Sequence, residues 1–162
     1  VTLILTEEEI AALLAERKPL PPDYQARIQA RPERGHKERE LEIQGDGGND
    51  FRLVVRQSAS NPFDFSVMLI FCPRDTSQTF RLCRYNGRSH EHTNTIEHQT
   101  FYDFHIHKAT ERYQALGTRE DSYAEPTERF CDLAGALECL LGDCGFDRSN
   151  LQTTIFDEGA TT

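Results

Sequence analysis

The chain has no tryptophan and a single methionine among its 162 residues, and several class-defining patterns are missing as well. No run approaches the ~20 apolar residues of a membrane-spanning helix. The apolar opening, Val1 to Leu5, is short, lacks a basic flank and runs into Glu7-Glu8-Glu9, so it is not read as a signal peptide. The chain begins with Val rather than Met, and residues ahead of Val1 are expected. The five cysteines (72, 83, 131, 139 and 144) form no Cys-x-x-Cys pair. An odd count without framework spacing argues against a disulfide scaffold. The cysteines read instead as small hydrophobes in a reducing, cytoplasmic setting. Ser66 and Ser89 sit in no Gly-x-Ser-x-Gly elbow, and Gly45 to Gly48 lacks the lysine and following helix of a phosphate loop. There is no internal repeat.

What is present is an uneven charge. The net charge is −9, yet residues 81–119 hold six Lys/Arg against four Asp/Glu, and residues 120–162 hold two against ten. A mildly basic segment on an acidic protein argues against a broad footprint on duplex nucleic acid. It leaves room for a small anionic ligand or a short single strand.

The periodicity predicts a single α+β domain with a mostly antiparallel sheet of about five strands, an N-terminal helix and two C-terminal helices. Thr6 to Glu9 is a capping box, and the helix it opens ends before Pro19. Residues 1–40 comprise this helix and a Pro-rich arm, with one helical turn near Tyr24 to Ile28. The core domain spans 41–147, and 148–162 is a flexible tail. Alternation marks strands from Leu41, over Phe51 to Arg56, Phe63 to Phe71, Thr79 to Tyr85 and Tyr102 to His107. The strand from Phe63 turns apolar on both faces through Met68 and Ile70, which predicts a central position. Asn86-Gly87 is a turn signal. Thr110 to Leu116 forms a short helix. Asp132 caps a longer one whose Leu133, Leu137, Leu140, Leu141 and Cys144 share a face.

Five of the six histidines fall between residues 84 and 114. Two runs have the form His-x-His: His90-Glu91-His92 and His105-Ile106-His107. On extended backbone such residues share a face, so His90, His92 and Asn94 form one polar set and Asp103, His105 and His107 another. If the two faces meet, they suit general acid–base work on a phosphodiester, in which one imidazole accepts a proton and another donates one. Arg84, Arg88, Lys108 and Arg112 are candidates to offset charge on phosphorus, and Tyr85 and Tyr113 to contact a base. Arg52 and Arg56 share a strand face and read as a pair of solvated arginines, with extension of the basic patch as the alternative. Asp64 is expected to cap a turn. A position for His107 at a helix N-terminus would favour its neutral form.

The same residues allow a metal site. His90, His92, Glu97 and His105 are the candidate ligands, for zinc, iron or manganese. His90-x-His92-x4-Glu97 resembles the first motif of the cupins over about eight residues, although no second Pro-Gly…His motif follows. A third reading has the histidines serving only to hold the loop between them, in a module that binds a protein partner.

The run "FRLCRYNGRSHEHTN", with Glu97 behind it and a later helix "DLAGALECLL", resembles small prokaryotic proteins of toxin–antitoxin neighbourhoods, the TumE-like toxins and related families. Tyr85-Asn86-Gly87 and His90-x-His92 carry the match. The resemblance implies a small cytoplasmic ribonuclease-like protein acting on RNA or a nucleotide, and an antitoxin-like protein partner.

Overall fold

The computed structural model describes residues 2–28, 31–32 and 35–148; the tail expected at 148–162 lies almost wholly outside the described residues. Helix α1 is Glu7–Ala15, followed by β1 at Lys18–Pro19, α2 at Tyr24–Arg27 and β2 at Arg31–Pro32. Four longer strands come next: β3 His36–Gln44, β4 Asp50–Ser58, β5 Phe65–Phe71 and β6 Phe80–Asn86. A small hairpin follows, β7 His92–Asn94 and β8 Gln99–Phe101, then β9 His105–Lys108, α3 Glu111–Ala115 and β10 Tyr123–Pro126. The described chain closes with α4 Leu133–Asp143 and β11 Phe146–Asp147.

Among the described residues the main sheet has the order β10-β9-β6-β5-β4-β3-β2, and every neighbouring pair is antiparallel. The α+β single domain and the two C-terminal helices agree with the sequence pattern, and β5 is central as its two apolar faces require. The sheet is larger than expected because of two short strands, the two-residue β2 and the four-residue β10, each ending in proline (Pro32 and Pro126). Proline is confined to positions whose N–H the ladder does not need, so a strand this short leaves little trace in the pattern. No helix is long and apolar enough to cross a membrane.

Register sorts the side chains. Arg39, Val55, Val67, Tyr85, Ile106 and Glu125 stand opposite one another across six strands, on the face packed against the helices. The next row on that face includes Leu41, Leu53, Leu69 and Cys83, all buried. The residues between them point to the second face: Glu40, Val54, Met68, Arg84, His107 and Ala124 in one row, and Glu38, Arg56, Ser66, Asn86, His105 and Pro126 in another. The pairing of β5 with β6 slips by one residue after Leu69, which faces Cys83, because Ile70 faces Arg81. Leu82 is therefore the extra residue of a bulge. Leu82 and Cys83 both turn into the core, and Arg81 joins Arg84 on the second face. Three residues apart on a regular strand, the two arginines would have pointed to opposite sides.

The Pro-rich arm packs down on the domain. Leu20, Tyr24 and Ile28 belong to the same buried cluster as Leu53 and Leu140. The helical turn near Tyr24 and the capping box at Thr6 and Glu9 form as expected. The junction of the arm, α1 and α4 is held by Lys18, which has no exposed surface. Its ammonium donates to the carbonyls of Leu13 (2.8 Å), Leu14 (3.1 Å), Glu16 (2.9 Å) and Cys144 (2.7 Å) and sits 4.5 Å from the centre of the Phe51 ring. Helix C-termini leave carbonyls without intrahelical partners, and a cation is the natural complement to them. Burial lowers the Lys18 pKa, but the carbonyls satisfy all its protons. Lys18→Met keeps the stem and removes the donors, and stranded buried acceptors cost roughly 1–3 kcal/mol apiece. Urea unfolding of this variant should show a loss of about 3 kcal/mol or more; a loss under about 1 kcal/mol would mean that water replaces the ammonium.

Candidate functional site

The β7–β8 hairpin lies over the second face at its β9–β10 end. Asn94 fastens it there. This side chain is fully buried; its amide donates to the Ala124 carbonyl (2.7 Å) and its oxygen accepts from the Ala124 N–H (2.9 Å). The far end of the hairpin is tied by Glu97, whose carboxylate accepts from the Tyr113 hydroxyl (3.1 and 3.2 Å) and from Arg112 (3.2 and 3.3 Å). Gly87, expected in a turn, still pairs through its N–H with the Phe65 carbonyl (2.9 Å). A Cβ at Gly87 would fall 2.0 Å from the Phe63 carbonyl oxygen, so close approach is what requires glycine at this point.

The two polar histidine sets meet. The ring centres of His92 and His107 are 4.9 Å apart, those of His105 and His107 4.9 Å, and those of His92 and His105 5.6 Å. His90 stands at the exposed rim, 6.2 Å from His105, with Nδ1 3.1 Å from the Ser89 hydroxyl. Hydrogen bonds fix three tautomers. His105 Nδ1–H donates to the Asp103 carbonyl (2.7 Å), and His107 Nδ1–H to the Asp121 carbonyl (2.8 Å). Each therefore keeps Nε2 unprotonated when neutral. Asn86 Nδ2 lies 3.5 Å from His105 Nε2, while His107 Nε2 makes no hydrogen bond among the described residues. His92 Nε2–H donates to Asn94 Oδ1 (2.9 Å), which leaves Nδ1 as the bare nitrogen of its neutral ring.

His105 has no exposed surface and His107 only 4%. Burial pulls the His105 pKa down to about 4, against the opposing effect of its bond to Asp103. Burial, then the neighbouring Arg84 guanidinium and the other imidazoles, pulls His107 down to about 2. Both rings are neutral at physiological pH. The cause is burial, and the helix dipole invoked for His107 is not needed, since α3 begins only at Glu111.

A cleft of about 370 Å³ opens beside these rings, lined by His90, His92, His107, Arg84, Arg119 and Asp121 among others. Asp121 is completely buried. Its Oδ2 accepts from Arg84 Nε at 3.2 Å, and its Oδ1 lies 3.5 Å from Arg119 Nε without forming a hydrogen bond. Asp121 and Arg119 are absent from the residues that motif and spacing bring forward. Their only trace is a charged triplet, Arg119-Glu120-Asp121, after the glycine that ends α3.

Of the residues expected at the site, His90, His92, His105, His107 and Arg84 are brought together. Asn94 is present as an anchor, bound to backbone and to His92. Tyr85 and Lys108 are not part of it: they stand on the opposite face, where the Tyr85 hydroxyl donates to Asp143 and Lys108 pairs with Glu125 at 2.9 Å. Arg88 is exposed above the Tyr102 ring, and Arg112 lies over Tyr123 and pairs with Glu97. Tyr113 is buried beneath the hairpin, its hydroxyl spent on Glu97 and the Ile96 N–H. The Asp103 carboxylate is exposed, and only its carbonyl serves the cluster. Glu97 is thus held by Tyr113 and Arg112 rather than by the histidines. Among the described residues no three His, Cys, Asp or Glu side chains stand as a group able to hold a metal ion.

No protein-family model, curated protein or solved structure matches this chain.

A pH dependence follows from the two buried imidazoles. Their folded pKa values lie below the ~6.5 of an unfolded histidine, so on acidification the unfolded chain takes up protons first. Their stabilising contribution is full above about pH 6.5 and is lost as pH falls toward 4 for His105 and lower still for His107. Each contributes a slope of about 1.4 kcal/mol per pH unit inside that window. Between about pH 6 and 5 the wild type should lose roughly 2–3 kcal/mol in urea unfolding, and His107→Gln about half as much. Equal slopes in both proteins would show that His107 protonates freely in the fold.

Proposed function

We propose that this cleft is the active site of a small histidine-dependent phosphodiesterase acting on RNA, a ribonuclease-like cytoplasmic protein of toxin–antitoxin type held in check by a protein partner. The observation that carries the reading is His107: a buried neutral imidazole whose Nδ1–H is fixed by the Asp121 carbonyl, beside Arg84 and Arg119. An imidazole held in this way presents one defined basic nitrogen, and the anionic phosphate of a bound substrate raises its low pKa toward the range a base needs. It takes the proton of a ribose 2′-hydroxyl as that oxygen attacks phosphorus, and the bond to the 5′-oxygen breaks. The leaving oxygen takes a proton from His90, the exposed imidazole at the rim of the cleft. His90 is left neutral and His107 protonated, and water restores both. Arg84 and Arg119 offset the charge gathering on the phosphoryl oxygens. His92, oriented by Asn94, completes the wall, and His105, oriented by Asp103, lies buried against His107.

A second reading uses the same nitrogens. His92, His105 and His107 each give one ring N–H to an oxygen and keep the other nitrogen bare, the pattern that orients metal-ligating histidines. Two buried oxygens nearby, Asn86 Oδ1 and Asp121 Oδ1, likewise accept no hydrogen bond among the described residues. Zinc, iron or manganese would satisfy such a set only after the rings turn toward a common point.

The two readings separate in one experiment, RNA cleavage assayed with and without a chelator on protein purified without a histidine tag. The phosphodiesterase reading expects cleavage in chelator, a 2′,3′-cyclic phosphate product, and a fall of at least ~100-fold for His107→Ala and His90→Ala, in line with loss of a general acid or base. Unchanged cleavage by both variants sinks it. Near-stoichiometric metal that disappears in His105→Ala would move the assignment to the metal.

A further inference from the structure

We infer that the site binds its RNA as an extended single strand several nucleotides long, laid across the second face of the sheet from the histidine cleft toward Arg56. This rests on the phosphodiesterase reading and adds the substrate's form. A second cleft, of about 320 Å³, adjoins the first and shares Arg84, His90 and Arg119 with it. The two make one trough. The second part is lined by Arg56, Ser66, Met68, Arg81, Asn86 and Ser89, among others. Arg81 reaches it only because of the bulge at Leu82.

The chemistry along the trough suits a phosphate backbone. Arg56 pairs with Asp64 at 3.2 Å and Arg81 with Glu120 at 3.7 Å, and both arginine side chains are 38% exposed. The Arg56–Asp64 pair is about a third exposed on both sides and so is weak; a phosphate takes the carboxylate's place there most easily, while at Arg81, whose Glu120 partner is only 17% exposed, it adds to the pair. Asn86 is only 5% exposed, and its Oδ1 has no hydrogen-bond partner among the described residues. An N–H of a bound base would supply the missing donor. Beyond the histidines, Tyr102 is 48% exposed with the Arg88 guanidinium 5.6 Å from its ring centre, and Phe101 lies against His92 and His105. An exposed aromatic such as Tyr102 can stack on a base, one of the means by which single strands are held without a fixed sequence.

The other charges limit what fits. Glu38, Glu40 and Glu42 on β3 share this face beyond Arg52 and Arg56, and the protein carries −9 overall. A stiff duplex extending over that edge would meet carboxylates, whereas a flexible strand can stay in the arginine trough.

The test measures binding apart from cleavage. Fluorescein-labelled 2′-O-methyl RNA oligonucleotides, from dinucleotide to octamer, lack the attacking hydroxyl and report affinity by anisotropy on the whole chain. Affinity should rise with length to at least the tetramer. The Arg56→Gln/Arg81→Gln protein should bind the octamer about tenfold more weakly and the dinucleotide unchanged, with a salt slope lower by about 0.7 for each phosphate no longer neutralised. Circular dichroism and unfolding midpoints of this variant verify that it is folded, and the single substitutions, each expected to lose part of the effect, serve if it is not. Affinity independent of length, octamer binding untouched by the substitutions, or equal affinity for a duplex of the same length would each overturn the inference. Length-dependent binding in a protein whose His107→Ala variant cleaves normally would leave the trough standing and remove only the catalytic assignment.

Discussion

Asp121 is the constraint on which the site depends. A carboxylate without exposed surface is tolerated only with cationic partners, and this one holds Arg84 from β6 on one side and faces Arg119 from its own loop on the other. The same residue's carbonyl takes the Nδ1–H of His107. One short loop between α3 and β10 thereby sets the position of two cations and the tautomer of a base. Removing the carboxylate would leave two arginines crowding a buried imidazole, a much larger disturbance than the loss of an ordinary surface ion pair.

The division of the sheet into two faces explains why this chemistry is possible in so small a domain. All the long helix packing is on one side, where Leu53, Val67 and Leu69 have no exposed surface and each buried aliphatic chain contributes about 1.5–3 kcal/mol. Lys18 fastens α1 and α4 over that side by serving the carbonyls at both helix ends. Stability comes from one face, so the other can carry arginines, amides and neutral imidazoles. The histidines bury without charge because each has an oxygen acceptor for its single ring proton. Their cost appears only on acidification, when the unfolded chain can be protonated and the fold resists it.

Much of this is legible in the amino-acid pattern. The capping box at Thr6, the leucine stripe of α4, the double-sided apolar β5 and the polar faces of the two His-x-His runs all follow from periods of 3.6 and 2, which local backbone geometry enforces, whereas the meeting of those two faces does not. The failures have one source: contacts between residues distant in sequence and register shifts carry no periodic signal. Proximity along the chain groups Tyr85 and Lys108 with the site, yet strand alternation sends them to the other face. Arg81 reaches the site face through a bulge that nothing in Phe80-Arg81-Leu82-Cys83 announces. Asp121 fixes His107 through its carbonyl and Asn94 holds the hairpin through the Ala124 peptide, backbone links that no side-chain motif can reveal. Nothing in the sequence around Lys18 announces that two helix ends are brought to it.

The most direct measurement of the central claim is the protonation state of the individual imidazoles, read from the ring ¹⁵N resonances of the labelled protein and assigned with single histidine variants. His105 and His107 are expected to carry a protonated Nδ1 and a bare Nε2 at about pH 7, persisting to about pH 5 because burial holds both rings neutral. A proton on Nε2 of His107, or a doubly protonated ring at neutral pH, would contradict this, because no base would then face the arginines across the cleft.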